Sequence, residues 1–406
     1  MEIHEGSDIW QITMGKIFEH PQFYRIQQDM GYAGRYFHVI TGPRQTGKTT
    51  VAIAAAEVNG AYVYANADEP ICNHRDWIAS NWQKARSKAS TNLQCTLIID
   101  QVHRLCGWAE IFKDMLTTDA SGRHIVKLVL ISSMPALIKK DLTKHFGGRY
   151  QLIRLQHWPY RLMQEAFGYS IRQYLYYGGY PGGYETNNFP DLWRQYLLDR
   201  VIEPAISRDI FPLRDGGFLR RIYALICQNS GHVMSYRRIC SLLDSGDSKS
   251  AVSHYLCKLA HTGLIGIIGK FDNLQMNSAN SSPKLLVRDT SLMTAFSCLS
   301  FSEVEKDPVF FSHLKKTAVG AHLINGTIDS DIEVFYWLDR NRHVDYILQR
   351  GRDIIMIEVL TNASQFRYDG YSIFAQKYHP KRHIVVGDTN VDLSRFFATS
   401  PIEWFK

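Results

Sequence analysis

Apolar positions form two kinds of pattern along the chain, and each predicts a different element. Residues 36–40 (YFHVI), 96–100 (TLIID) and 125–131 (IVKLVLI) are short, mostly apolar runs. Runs of that length and composition suit strands buried on both faces, as in a parallel sheet. Between the first two, residues 50–58 (TVAIAAAEV) are alanine-rich and predict a helix. Strand, helix and strand in alternation indicate an α/β fold. In residues 218–264 the pattern changes. FLRRIYALICQNSG, SYRRICSLLD and SKSAVSHYLCKLAHTGLI predict three helices, the third opening at the cap-type residues Ser248 and Ser250 and closing at Gly263. IGIIGKFDN and KLLVRD then suit a hairpin.

The first strand and helix are joined by GPRQTGKT, residues 42–49, which satisfies G-x-x-x-x-G-K-[ST] in the strand-loop-helix setting the motif requires. Gly42 and Gly47 let the loop curl. The loop through Pro43, Arg44, Gln45 and Thr46, with the helix start at Thr50, then presents the N–H groups of its non-proline residues to phosphates. Lys48 is placed to reach the β and γ phosphates of ATP, and the Thr49 hydroxyl to complete a Mg2+ shell. Asp100, at the tip of the second apolar run, supplies the carboxylate for Mg2+; a helix N-cap would use the same residue type. Ser133, after the third run, is a candidate γ-phosphate contact, though turns also favour serine.

The residue after Asp100 is Gln101, where a glutamate usually activates the attacking water. A carboxylate can accept a proton; a neutral amide can only hold water by hydrogen bonds. ATP binding is therefore expected to survive and hydrolysis to be slow. His103 and Glu110 are near in sequence, but nothing places either at the phosphates.

Composition adds limits. At 406 residues the chain has room for two or three domains, and 45% hydrophobic with 21% charged residues reads as globular. No apolar run approaches a membrane span and the start, MEIHEGSDIW, is not a basic stretch leading into an apolar core. No membrane association and a cytoplasmic location are therefore expected. The seven cysteines are scattered without C-x-x-C, which argues against a disulfide framework or a zinc site. Residues 211–290 hold ten Lys/Arg against five Asp/Glu, within a net charge of +7 for the chain. That segment suits contact with DNA, and an ordinary solvated surface accounts for it equally well. Trp77 and Trp82 are expected to pack on a core, and GGYPGG (178–183) to be a turn without chemistry.

Taken in order, GPRQTGKTT, YANADEP, LIIDQVHRL, GGRY, YYGGYPGG, VIEPAISRDIF, SSPKLLVRDTSLMTA, AVGAHLIN, HVDYIL and IIMIEVL resemble the AAA-type ATPases of bacteria and archaea that carry a DUF4143 region. The resemblance implies a P-loop AAA-type parallel sheet with helices on both faces in residues 1–160 and a helical lid in 161–210. A winged helix in 211–290 and a small α/β domain similar to PD-(D/E)xK nucleases in 291–406 would follow. It implies that Arg149 reaches the γ phosphate of a neighbouring subunit in a homo-oligomer, though a plain helix-end cation fits too. The third helix would be a recognition helix offering Lys249, His254 and Lys258, with Arg237 and Arg238 nearby, for phosphate contact; domain packing is the alternative. The nuclease chemistry needs an aspartate and Glu-x-Lys. Asp345 and Glu358 fit that pattern, but the lysine position is Leu360 and HLKKTAVGAHLIN has no carboxylate. This domain is therefore expected not to cut. Two rival functions stay open: a nucleotide-gated DNA- or protein-binding switch, and a metal-dependent nuclease.

Overall fold

The computed structural model describes residues 20–31, 37–89, 94–120, 126–210, 216–243, 249–272, 281–360, 368–387 and 390–406. Tyr36, Ile125 and Ser248 lie outside them, as does the middle of the expected hairpin. The chain divides into two compact units, Met1–Gln156 and His157–Lys406.

In the first unit, β1 (Phe37–Thr41), β2 (Ala61–Asn66), β3 (Cys95–Asp100), β4 (Val126–Ser132) and β5 (Tyr150–Arg154) make one sheet in the order β2-β3-β4-β1-β5. Every neighbouring pair is parallel. The three apolar runs become β1, β3 and β4 in the interior of the sheet. Their side chains alternate between two cores. Val39, Leu97, Ile99, Leu128 and Leu130 pack on one side against α3 (His74–Lys88), α4 (Trp108–Ala120) and α5 (Pro135–Phe146). Ile40, Ile98, Val129 and Ile131 pack on the other against α1 (Pro21–Gly31) and α2 (Lys48–Asn59). Helices on both faces are what all-apolar parallel strands require, since each side chain buried contributes roughly 1.5–3 kcal/mol. Trp82 is buried in the first core and Trp77 packs against it. The edge strand β2, by contrast, alternates exposed and buried positions at its end.

The second unit carries a seven-stranded sheet in the order β12-β11-β10-β9-β7-β8-β6. Its strands are β6 (His232–Val233), β7 (Ile265–Lys270), β8 (Lys284–Val287), β9 (Glu333–Asp339), β10 (Arg342–Arg350), β11 (Asp353–Val359) and β12 (Arg382–Val386). Helices Gly216–Gln228, Tyr236–Leu242 and Lys249–His261 precede the antiparallel pair β7 and β8, in the places the apolar pattern indicates. The boundary expected at 290/291 falls within this continuous sheet: β7 pairs in parallel with β9 through Gly269 and Phe335. By contacts the chain separates at Gln156, four residues before the expected end of the core at 160, and shows no further division at 210/211 or 290/291.

Candidate functional site: a phosphate cradle at the strand tips

Register brings the expected residues to one edge of the first sheet. Thr41 lies beside Ser132, and Ile99 beside Leu130, so the 42–49 loop, Asp100–Gln101 and Ser133 all follow the same strand ends. Ligands bind at that edge in open parallel sheets. Gly42 is obligatory there, because a Cβ would come within 1.8 Å of the Leu155 carbonyl oxygen. Leu155 N–H donates to the Thr41 carbonyl at 2.8 Å, which holds the chain after β5 against the start of the loop. Gln45 and Gly47 have φ of 59° and 87°, in the left-handed region. Such turns direct backbone N–H groups into an anion-binding concavity. The Thr46 hydroxyl donates to the Pro43 carbonyl at 3.0 Å, tying the loop across its base. Lys48 Nζ, buried, donates to the same carbonyl.

Opposite the loop, Thr49 Oγ1 donates to Asp100 Oδ2 at 2.5 Å, and the Gln101 N–H donates to Asp100 Oδ1 at 2.8 Å. A hydroxyl and a carboxylate this close are hard oxygen donors of the kind Mg2+ selects. Tyr64 completes the pair by donating to Asp100 Oδ2 at 3.3 Å. Burial, and then the Asp100 charge, push its phenol well above the usual range, so it is a donor at any working pH.

Gln101 also has a left-handed φ, 57°, a conformation that costs a non-glycine residue about 1–2 kcal/mol. Its Oε1 accepts from Ser133 Oγ at 2.8 Å and faces the Ser133 N–H at 3.4 Å. Because a backbone N–H can only donate, this second contact assigns the amide orientation. The carbonyl end of Gln101 is thus turned to Ser133, and its other end is a donor.

The remaining candidates divide. Arg44 is not turned to the cradle; it forms a two-pronged pair with Asp68 at 3.0 and 3.1 Å, beside Arg104 at 3.7 Å. Asp68 and Tyr64 both belong to the YANADEP stretch after and within β2. The sequence assigns neither of them a role; the signal for both is a polar cluster at a strand tip. His103 Nδ1 lies 3.0 Å from Ser132 Oγ, and Glu110 lies 4.0 Å from His145, so neither is placed as a water base. Arg149 precedes Tyr150, which pairs with Phe37 at the opposite end of the strands. It is about 17 Å along the sheet from the strand tips, at 3.3 Å per residue. Arg149 therefore does not serve its own chain's cradle.

In the second unit, Asp345 and Glu358 face each other across β10 and β11, in the register set by Tyr346 and Ile357. Burial raises Glu358 to about 7, with the Asp345 charge adding to it. Burial also works to raise Asp345, but Lys316, Lys284 and the Val359 N–H outweigh it and hold its pKa below the ordinary value. Leu360 does stand at the expected lysine position, yet Lys316, from helix Pro308–Thr327, reaches Asp345 Oδ1 at 3.3 Å. A helix thus supplies a lysine beside the pair although the strand position is Leu360. Among the described residues no group of three or more His, Cys, Asp or Glu is arranged to hold a metal ion.

Residues 35–162 match the family model described as an AAA domain. Residues 168–303 match a domain of unknown function, DUF8612, and the DUF4143 region that the resemblance implied, in residues 291–406, is not shown. No curated protein matches the chain. Among solved structures, a Walker-type ATPase of Pyrococcus abyssi is 13% identical, with a TM-score of 0.46 over 69% of this chain and 96% of that one. RuvB of Thermotoga maritima is 15% identical, with a TM-score of 0.35 over 64% and 92%. The ORC1 protein of Aeropyrum pernix, in complex with DNA, is 11% identical, with a TM-score of 0.32 over 72% and 93%. The family match and the parallel sheet with its loop give the first unit a P-loop fold similar to that of AAA domains. No helix among the described residues is long and apolar enough to cross a membrane.

Proposed function

We propose that the chain binds ATP with Mg2+ in this domain, hydrolyses it slowly, and couples nucleotide state to a winged-helix and nuclease-like module in the cytoplasm. The observation that carries this is the Thr49–Asp100 hydrogen bond of 2.5 Å beside the glycine-gated loop. The N–H groups of residues 44–50 and the Lys48 ammonium hold the phosphates, and Thr49 with Asp100 holds the metal. Mg2+ supplies charge neutralisation on the phosphate oxygens. Tyr64 orients Asp100. Gln101 positions water through its amide donors and, with its carbonyl turned to Ser133, accepts no proton, which supports slow turnover. Ser133 holds Gln101 and contacts the γ phosphate. Arg149, remote from its own cradle, acts in a neighbour's site within a homo-oligomer. DNA is the proposed partner of residues 211–290, where Lys249 and His254 are exposed on the third helix.

The test is ATP binding by the parent and by Lys48→Ala. The variant should bind at least about 100-fold more weakly, since a buried cation reaching two phosphates is lost. Equal affinity would remove the proposal. A metal-dependent nuclease is the second reading, favoured by Lys316 at Asp345. Plasmid nicking with Mg2+ or Mn2+ that disappears in Asp345→Ala would establish it, and its absence would leave the ATPase and switch readings.

A further inference from the structure

Gln101 keeps a left-handed backbone, and a residue strained in that way persists only where its surroundings over-determine it. Main-chain pairing with β4 does not reach it: the β3–β4 register runs to Ile99 and Leu130, and Gln101 and Ser133 lie beyond. Side chains close the gap. Gln101 opens the short turn Val102–Arg104, whose Arg104 N–H donates to the Gln101 carbonyl at 3.0 Å. His103 Nδ1, in the middle of that turn, lies 3.0 Å from Ser132 Oγ, and Met134 N–H donates to the same hydroxyl oxygen at 3.0 Å. Ser132 thus ties His103 to the backbone on the far side of Ser133. Ser133 Oγ in turn donates to Gln101 Oε1 at 2.8 Å, so the contacts close a ring through Gln101, His103, Ser132 and Ser133. Both serines are fully buried.

The ring has a chemical direction. The Ser132 oxygen accepts from Met134, and its one proton is then directed at Nδ1, which leaves the imidazole hydrogen on Nε2. An alkyl side chain at 103 would remove that acceptor and release the turn from the tip of β4. We propose that His103 is a positioning residue for the γ-phosphate end of the cradle: through Ser132 it sets where Ser133 holds Gln101, and so it lets the site tell a triphosphate from a diphosphate. It acts through Ser132, and not as a base on water. The loop that meets the other phosphates is held separately, by Leu155 at its start and by Thr46 on the Pro43 carbonyl. Opening the ring therefore affects the third phosphate and spares the first two. This deepens the proposed ATP reading and rests on it.

The experiment compares the affinities of the full chain for ADP and for a non-hydrolysable ATP analogue with Mg2+, alongside single-turnover release of phosphate from ATP. In His103→Ala the preference for the analogue over ADP and the release rate should each fall at least about 10-fold, because a small misplacement at the reacting end is costly, while ADP affinity stays within about twofold. His103→Asn, whose amide oxygen can accept from Ser132, should recover most of both. With Ser133→Ala already present, His103→Ala should add less than about twofold, since the ring is already open. No preference for the analogue in the parent, an unchanged preference and rate in His103→Ala, a parallel loss of ADP affinity, or losses that multiply in the double variant would each overturn the proposal. A parent that binds but releases no phosphate refutes hydrolysis alone, and the nucleotide preference still decides the role of His103. A parent that binds neither nucleotide removes the ATP reading itself, and the role of His103 with it.

Discussion

Two glycine loops in this chain are tightened by the same kind of close approach. A Cβ on Gly42 would meet the Leu155 carbonyl oxygen at 1.8 Å, and one on Gly178 would meet Asp289 Oδ1 at 1.8 Å. In the first loop the intruding group is a backbone carbonyl, and the loop curls to offer N–H donors beside a helix start. In the second, the intruder is a buried carboxylate. Asp289 accepts from Gly179 N–H at 2.7 Å, from Ser291 N–H at 3.0 Å and from Ser291 Oγ. The protein's own anion thus occupies the loop where a phosphate would otherwise be welcome. Glycine spacing alone says that backbone must come close to something. Whether the donors are already consumed decides between a site and a clasp.

The largest expected effect on this comparison comes from filling the first loop. Gly42→Ala should abolish measurable ATP binding, because the clash is with backbone that cannot swing away. Isothermal titration of the folded variant measures it, and binding within tenfold of the parent would show that the loop has room to spare. Emptying the second loop should act on stability. Asp289→Ala leaves two buried N–H donors without their acceptor and should cost about 3 kcal/mol in urea unfolding. Asp289→Asn, which keeps an acceptor oxygen, should cost less; equal losses would mean that charge, not acceptor geometry, holds the clasp.

A smaller effect separates the buried titratable groups of the second unit by pH. His322 is lowered to about 4 by burial, so the unfolded chain takes up its proton first as pH falls. Stability should decline from about pH 6.5 to about 4, by about 3 kcal/mol from this group. Glu358 has the opposite sign: raised to about 7, it stabilises fully below the ordinary carboxylate range, and that contribution is lost as pH rises to about 7. The two windows overlap and their slopes oppose between about pH 4.5 and 6.5, so Glu358→Gln should steepen the rise of unfolding free energy along that limb and remove the decline from about 6.5 to 7. A limb left unchanged would mean that Glu358 ionises normally.

How much of this was legible in the sequence follows the distance between the cooperating residues. The phosphate loop is eight consecutive residues, and β1, β3 and β4 announced themselves as apolar runs because parallel strands bury both faces. Gln101 was visible by its neighbour. Its tie to Ser133, 32 residues on, was not, since only the β3–β4 register brings the two strand tips together. Tyr64 escaped notice for the same reason. The clasp joins Gly179 to Asp289 across 110 positions, so GGYPGG could be recognised as a turn but not as a carboxylate receptor. Lys316 was hidden by a substitution between elements: the motif looks along β11, while the charge arrives from a helix 29 residues before Asp345. The sheet that runs unbroken past residue 290 was invisible because β7 and β9 pair across a long connection.

The central claim is that ATP is bound and slowly turned over because Gln101 cannot take a proton. Steady-state phosphate release with Mg2+ and ATP, compared among the parent, Gln101→Glu and Lys48→Ala, tests it most directly. The parent should release phosphate slowly, Gln101→Glu at least about 100-fold faster as a general base is restored, and Lys48→Ala at background. Fast release by the parent, unchanged or reduced in Gln101→Glu, would contradict the account and assign the water to another residue.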